Sequence, residues 1–147
     1  ALWLSMREDM AEVALGCRDA AWIKHRYADK PDANYRLYFV LAPDSRTPAA
    51  LLVLRHHGAE GLELLDLVAP RAAAESAVMA ARQLAAQCQA PRLFAWATPR
   101  ALSWFAETSP EVRSTSVLVP GASFDGPEHA LQLKDRWWLL GGDSDFR

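Results

Sequence analysis

Apolar and polar positions along this chain follow two rhythms, one of period two and one of period 3.6, and their succession predicts the order of elements. Over residues 7–28, Met10, Val13, Ala14, Cys17, Ala21 and Ile23 recur at three- and four-residue spacing, the pattern of one buried helical stripe. The stretch Asp29-Lys30-Pro31-Asp32-Ala33 breaks it. Tyr35, Leu37, Phe39 and Leu41 then alternate with Arg36, Tyr38 and Val40, which predicts a strand with a strongly apolar odd-numbered face. A turn at 43–48 leads into a second strand at 49–55, AALLVLR, apolar nearly throughout and so expected to be central. After a glycine-bearing turn at 56–61, residues 62–68 form a third strand and complete an antiparallel meander.

The helix expected over 71–89 is the cleanest periodic element. Ala77, Val78, Ala81, Leu84, Ala85 and Cys88 make one narrow face of mostly small side chains, which lets a helix lie close against a sheet. Residues 92–97, RLFAWA, read as a buried strand. Thr98 and Pro99 then open a short helix as N-cap and first helical residue, carrying Leu102, Phe105 and Ala106 and ending before Ser109-Pro110. Residues 112–119 read as a strand, 120–128 as loop and 136–140, RWWLL, as a last strand.

The order is thus helix, three-strand meander, helix, strand, helix, two strands. Hairpins need antiparallel neighbours, while a strand–helix–strand unit needs a parallel crossover. The fold class is therefore α+β with a mixed sheet. Segments 62–68 and 92–97 are its parallel pair, with a helix crossing between them and a splay where they part.

Composition narrows the function. At 147 residues and 51% apolar content the chain suits a single domain, 1–147, with a genuine core. No apolar run approaches the roughly 18 residues of a membrane span. A net charge of −2 and a pI of about 6.1 leave no basic footprint for nucleic acid. Cys17 and Cys88 fall on the apolar sides of their helices and are expected as buried free thiols. No secretory leader pattern opens the sequence, so a cytoplasmic protein is expected. The opening ALWLSM starts on alanine without an N-cap signal, which suggests a domain cut from a longer chain. Six tryptophans are many for a self-contained small domain, and some are expected to face a partner.

Candidate chemistry is sparse. Glu63 and Asp66 are the acids on the third strand; three residues apart, they are expected on opposite faces, with at most one looking into a cleft. His56 and His57 are adjacent, their side chains diverge and no third ligand follows at suitable spacing, so a solvated hairpin is expected and no metal. Asp143 and Asp145 read as solvated carboxylates, and Lys24-His25-Arg26 as the polar end of a helix. No G-x-S-x-G elbow supports a hydrolase. Trp137 and Trp138 are consecutive on a strand, so one indole should enter the core and the other reach the outer face.

Three stretches, with the element order, resemble the GNAT acyltransferase superfamily. His25-Arg26-Tyr27 followed by Pro31 and Tyr35 looks like the lead into the first strand of some tandem GNAT proteins. Leu65-Asp66-Leu67-Val68-Ala69-Pro70 looks like the family's fourth-strand segment, and Trp137-Trp138-Leu139-Leu140-Gly141-Gly142-Asp143-Ser144-Asp145 resembles the closing segment of the second half of such proteins. The resemblance implies a GNAT-like fold, a domain from the C-terminal half of a tandem protein, and acyl-CoA-dependent N-acyl transfer in the intact protein. It implies that acetyl-CoA lies along Leu67 and Val68, with its pyrophosphate near Arg71, Ala72, Ala73 and Ala74, and that Glu63 or Asp66 is the catalytic candidate. The family's R/Q-x-x-G-x-G/A loop is degenerate here: alanines replace the glycines, and Glu75 in the first turn suits a helix that binds no anion. The tyrosine many members use as acid is also missing, since Ser103, Trp104 and Phe105 stand there. The alternative is a non-catalytic half that supports a partner. That partner would be the N-terminal half of the same protein, or a second copy joined through the C-terminal strand, covering the outward tryptophan.

Overall fold

Alternation and turns build most of the sheet. In the computed structural model, which describes residues 1–30, 34–115, 127–133 and 135–143, β1 (Tyr35–Leu41), β2 (Pro48–His56) and β3 (Leu62–Val68) form an antiparallel meander. β4 (Leu93–Phe94) joins β3 in parallel, giving the order β1-β2-β3-β4 and a mixed, open, four-stranded sheet. The class is α+β. Every residue of β3 is buried, as a central strand covered on both faces requires.

α3 (Ala74–Gln87), entered through a 3-10 turn at Arg71–Ala73, supplies the crossover between β3 and β4. Its Ala77, Val78, Ala81 and Ala85 are buried. Ala80 and Leu84 share a shallow hollow with Tyr38, Val40 and Leu52, which places the even-numbered side chains of β1 and β2 under this helix. β4 pairs with β3 at Leu62–Leu93 and Glu63–Phe94; farther along, Ala97 pairs with Leu140 instead. The two parallel strands therefore part after a short contact. α4 (Pro99–Leu102) starts after Thr98 and runs on as a 3-10 turn, Ser103–Thr108, that buries Trp104 and Phe105. No helix among the described residues is long and apolar enough to cross a membrane.

Several expectations need correction. The helix over 7–28 is two helices, α1 (Leu2–Asp9) and α2 (Ala20–Ile23), the latter continuing as a π-helical turn, Lys24–Ala28. Between them the backbone of Ala14 is diverted to the C-terminal segment: its N–H donates to Arg136 O at 3.0 Å, and its carbonyl accepts from Trp138 N at 2.8 Å. Asp19 then restarts the helix by accepting from Trp22 N at 2.8 Å. Of the expected stripe only Met10 and Ile23 are buried; Val13 and Ala14 are half-buried and Cys17 and Ala21 exposed, so the interruption also breaks the single buried face.

The odd-numbered face of β1 is not the buried one. Tyr35 packs edge-on against Tyr27, but Leu37, Phe39 and Leu41 are exposed, although Val53 and Leu51, the partners of Leu37 and Phe39 on the same face of β2, are buried: the cover on that side stops short of β1 beyond Tyr35. Cys17 and Cys88 are free but exposed, one in the break between α1 and α2 and the other at the C-cap of α3. Residues 136–140 are not a strand but an irregular segment that bridges Ala14 at Trp137 and Ala97 at Leu140. Residues 112–115 are not in a strand and the rest of the stretch expected to 119 lies outside the described residues, whereas α5 (Pro127–Leu133) begins inside the expected loop 120–128.

Gly61 closes the β2–β3 turn at φ 123°, and a Cβ there would collide with the Arg92 carbonyl. Gly58, at φ 51°, faces open space. Gly61→Ala should lower the unfolding free energy by about 2–3 kcal/mol, against about 1 kcal/mol for Gly58→Ala, measured by urea denaturation. Equal losses would mean that the Arg92 backbone yields to the added methyl.

Candidate functional site

The two acids of β3 lie on the same face, not on opposite ones. Val53 of β2 pairs with Asp66, but Leu54 pairs with Leu64, so Leu65 is an extra residue and β3 carries a bulge there. Glu63 pairs with Arg55 and Asp66 with Val53; partners two apart on β2 share a face, and the bulge carries both carboxylates to it. Each is fully buried.

Asp66 meets a buried arginine. Its Oδ1 accepts from Arg18 Nε at 2.8 Å and from Leu67 N at 2.9 Å, and its Oδ2 accepts from Tyr27 Oη at 3.0 Å. Arg18 also donates through Nη2 to Asp143 Oδ2 and through Nη1 to Gly16 O at 3.0 Å. Its guanidinium carbon lies 5.0 Å from the Trp138 ring centroid and 5.8 Å from that of Trp22. Burial works against the charge on Arg18, but Asp66 and Asp143 outweigh it and its pKa is raised. Burial, reinforced by Asp66, pushes the Tyr27 hydroxyl up, so it stays protonated and donates. Asp143 is also raised: burial disfavours its charge, Arg18 opposes that, and Asp66 adds repulsion. One cation cannot fully compensate two carboxylates.

Glu63 belongs to a second cluster. Its Oε2 accepts from Arg55 Nη2 at 3.0 Å and lies 2.6 Å from His57 Nε2, which is itself 2.8 Å from Arg55 Nε. A ring nitrogen that accepts from Arg55 cannot at the same time donate to Glu63. His57 is therefore half-buried and paired, not solvated as the hairpin reading had it; His56 does point away, accepting from Gly58 N at 3.1 Å.

The C-terminal turn Gly141–Asp143 lies over both clusters. A Cβ at Gly141 would come within 2.9 Å of Glu63 Oε1, and one at Gly142 within 2.9 Å of the Leu65 carbonyl. Arg26 Nε donates to Gly142 O at 3.1 Å, and Asp143 Oδ2 accepts from Leu140 N at 2.8 Å. The carboxylate-bearing face of β3 is thus covered by glycine backbone and tied down by Arg18. It is a covered layer whose carboxylates are engaged by arginine side chains.

At the strand–helix junction, two of the backbone amides expected near a pyrophosphate already have partners within the chain. Leu67 and Val68 are buried, and so is Ala74; Arg71 and Ala72 are exposed and Ala73 half-buried. The Arg71 amide already donates to a carboxylate, Asp9 Oδ2 at the end of α1, at 2.6 Å, and the Ala73 amide is turned back to Pro70 O at 2.9 Å. At the position of the missing tyrosine, Trp104 and Phe105 are buried and Ser103 Oγ donates to Arg100 O at 2.8 Å. Among the described residues no group of three or more His, Cys, Asp or Glu could hold a metal ion. Ser144 and Asp145 lie outside the described residues.

Sequence reasoning missed Arg18, Tyr27, Arg55 and Asp9. The signal for Arg18 was Gly16 within a helical pattern, followed by Asp19 before an apolar residue, an interruption and a new N-cap. Compared with known proteins, the chain matches no family model, no curated protein and no solved structure.

Asp143 supplies a pH test. Its folded pKa lies above the ordinary 3.8, so its contribution to stability is fully present below that pH and is lost as pH rises through the folded value. Relative to Asp143→Asn, which keeps the shape without the charge, the wild type should lose unfolding free energy as pH increases from about 3.8. Urea denaturation of both proteins across the acid range measures this. A wild type that gains on the variant with rising pH would show that attraction to Arg18 dominates burial.

Proposed function

We propose that this chain is a GNAT-like domain, the C-terminal half of a cytoplasmic tandem protein that transfers an acyl group from acyl-CoA to an amine, and that this half supports its partner rather than holding the cofactor. The observation that carries this division is the Arg71 amide. The amide that opens the 3-10 turn leading into α3, where an incoming phosphate would approach, is bonded to Asp9 of the same chain. Three features stand with it: the meander followed by a parallel strand–helix–strand unit, alanines at 72–74 where close approach of an anion favours glycine, and the Gly141–Asp143 turn across the acids of β3.

Direct catalysis here would need Glu63 or Asp66 to accept a proton from a bound amine. Asp66 has its oxygens engaged by Arg18, Tyr27 and the Leu67 amide, and Glu63 is held by Arg55 and His57 beneath the turn. What the chain offers instead is a mixed sheet whose buried acids are already engaged by its own side chains. The partner in this reading is the N-terminal half of the same protein.

Calorimetry of the 147-residue chain with acetyl-CoA should give a dissociation constant at or above about 1 mM, equivalent to roughly −4 kcal/mol or weaker. A low-micromolar constant would place the cofactor in this half and overturn the proposal. In the intact protein, Arg71→Glu should leave acetyl-CoA binding unchanged, because the exposed side chain meets no phosphate.

A further inference from the structure

The sheet has two edges, and they are treated differently. On the β4 side the chain pairs onward from Ala97 to Leu140, whereas β1 has no strand on its outer side among the described residues. β1 is seven residues long and carries little of the usual protection of an exposed edge: no proline and no lysine, with Arg36 near its start as the one charged side chain. The irregularity near its end belongs to β2, where Ala49 is the extra residue between the partners of Val40 and Leu41, so β1 itself stays regular.

Its exposed side chains form a row. Leu37 is 37% exposed, Phe39 62% and Leu41 51%, all on one face at two-residue intervals. The other exposed large apolar residues, Leu4, Met79, Val112 and Leu131, are scattered over other segments. A contiguous apolar row beside an open strand edge is a docking surface, and its pattern specifies the partner.

We infer that β1 pairs with β1 of a second copy of this chain, antiparallel about a two-fold axis at Phe39, joining two sheets into one of eight strands. In that register Leu37 stands opposite the partner's Leu41, Phe39 opposite the partner's Phe39, and Tyr38 opposite the partner's Val40. Every exposed apolar side chain of the strand then meets another. An axis at Leu37 or at Leu41 would put the opposite leucine beyond the end of the partner strand. Charge agrees with the same register: Arg36 falls opposite the partner's Ala42, one diagonal step from the partner's Asp44. Arg36 and Asp44 are exposed, and neither makes an ion pair among the described residues. The contact is isologous, so it closes as a dimer and does not grow into a filament. This inference is independent of the acyltransferase reading, and it uses β1, not the C-terminal segment.

Cysteine cross-linking tests the register. In a Cys17→Ser, Cys88→Ser background, Phe39→Cys places two thiols on the axis with Cα atoms about 4.5–5.5 Å apart, within disulfide reach. Leu37→Cys alone puts its two copies about 13 Å apart, so Phe39→Cys should form a disulfide dimer, Leu37→Cys should not, and Leu37→Cys combined with Leu41→Cys should. Without cross-linking, sedimentation equilibrium should show a dimer that strengthens from micromolar to millimolar chain. Phe39→Lys, at an exposed position, should weaken it at least about tenfold, or roughly 1.4 kcal/mol. A chain monomeric throughout that range with no Phe39→Cys dimer would overturn the inference. So would Leu37→Cys dimers forming as fast as Phe39→Cys dimers, which would indicate random collision or another occupant of the edge.

Discussion

A cation buried among rings and carboxylates is the constraint on which the rest of this structure depends. Arg18 has no solvent-exposed side-chain surface, and it reaches Asp66 on the central strand, Asp143 in the C-terminal turn and the carbonyl of Gly16 beside it. Removing an ion from water costs several kcal/mol, and only well-placed partners recover that. Here two of the partners come from remote parts of the chain, so satisfying Arg18 requires its own segment, the central strand and the C-terminal turn to be in place together. The break between α1 and α2 delivers the arginine, the bulge at Leu65 carries Asp66 with Glu63 to the face that receives it, and the glycines at 141 and 142 let the last turn lie close enough to bring Asp143. Trp138, 1% exposed, and Trp22 cover the guanidinium.

That arrangement determines what the molecule leaves available. The acids that a sequence reader would choose for catalysis are held in compensated pairs under the C-terminal turn. The Arg71 amide, in the turn that leads into the crossover helix, is held by Asp9. The open surface lies elsewhere, on the apolar row of β1. Both the supporting-half proposal and the edge-pairing inference rest on this contrast between a covered interior and an exposed, patterned edge.

Much of the fold was legible because it rests on local patterning. The alternation in 35–41 and 62–68, the glycine-bearing turn between β2 and β3 and the small-residue face of α3 specify those elements within a few residues. The site was less legible because its determinants are not local. Residues 7–28 keep a helical apolar period, yet the Ala14 backbone bonds to a segment more than a hundred residues away, and periodicity cannot report that. Counting three residues from Glu63 to Asp66 implies opposite faces, and one extra residue at Leu65 reverses the conclusion. The apolar odd face of β1 and the exposed Cys88 show the same limit: composition says which side chains prefer burial, but the position of the covering helices decides which are buried.

The central claim is tested most directly by the unfolding free energy of Arg18→Met, which keeps the length and apolar contacts of the side chain and removes its charge. If the cation holds the three segments together, the variant leaves Asp66 and Asp143 buried without compensation. Urea denaturation at neutral pH should then show a loss of about 3–5 kcal/mol. A loss below about 1 kcal/mol would contradict the account and would mean that hydrophobic packing around Trp138 positions these segments without the arginine.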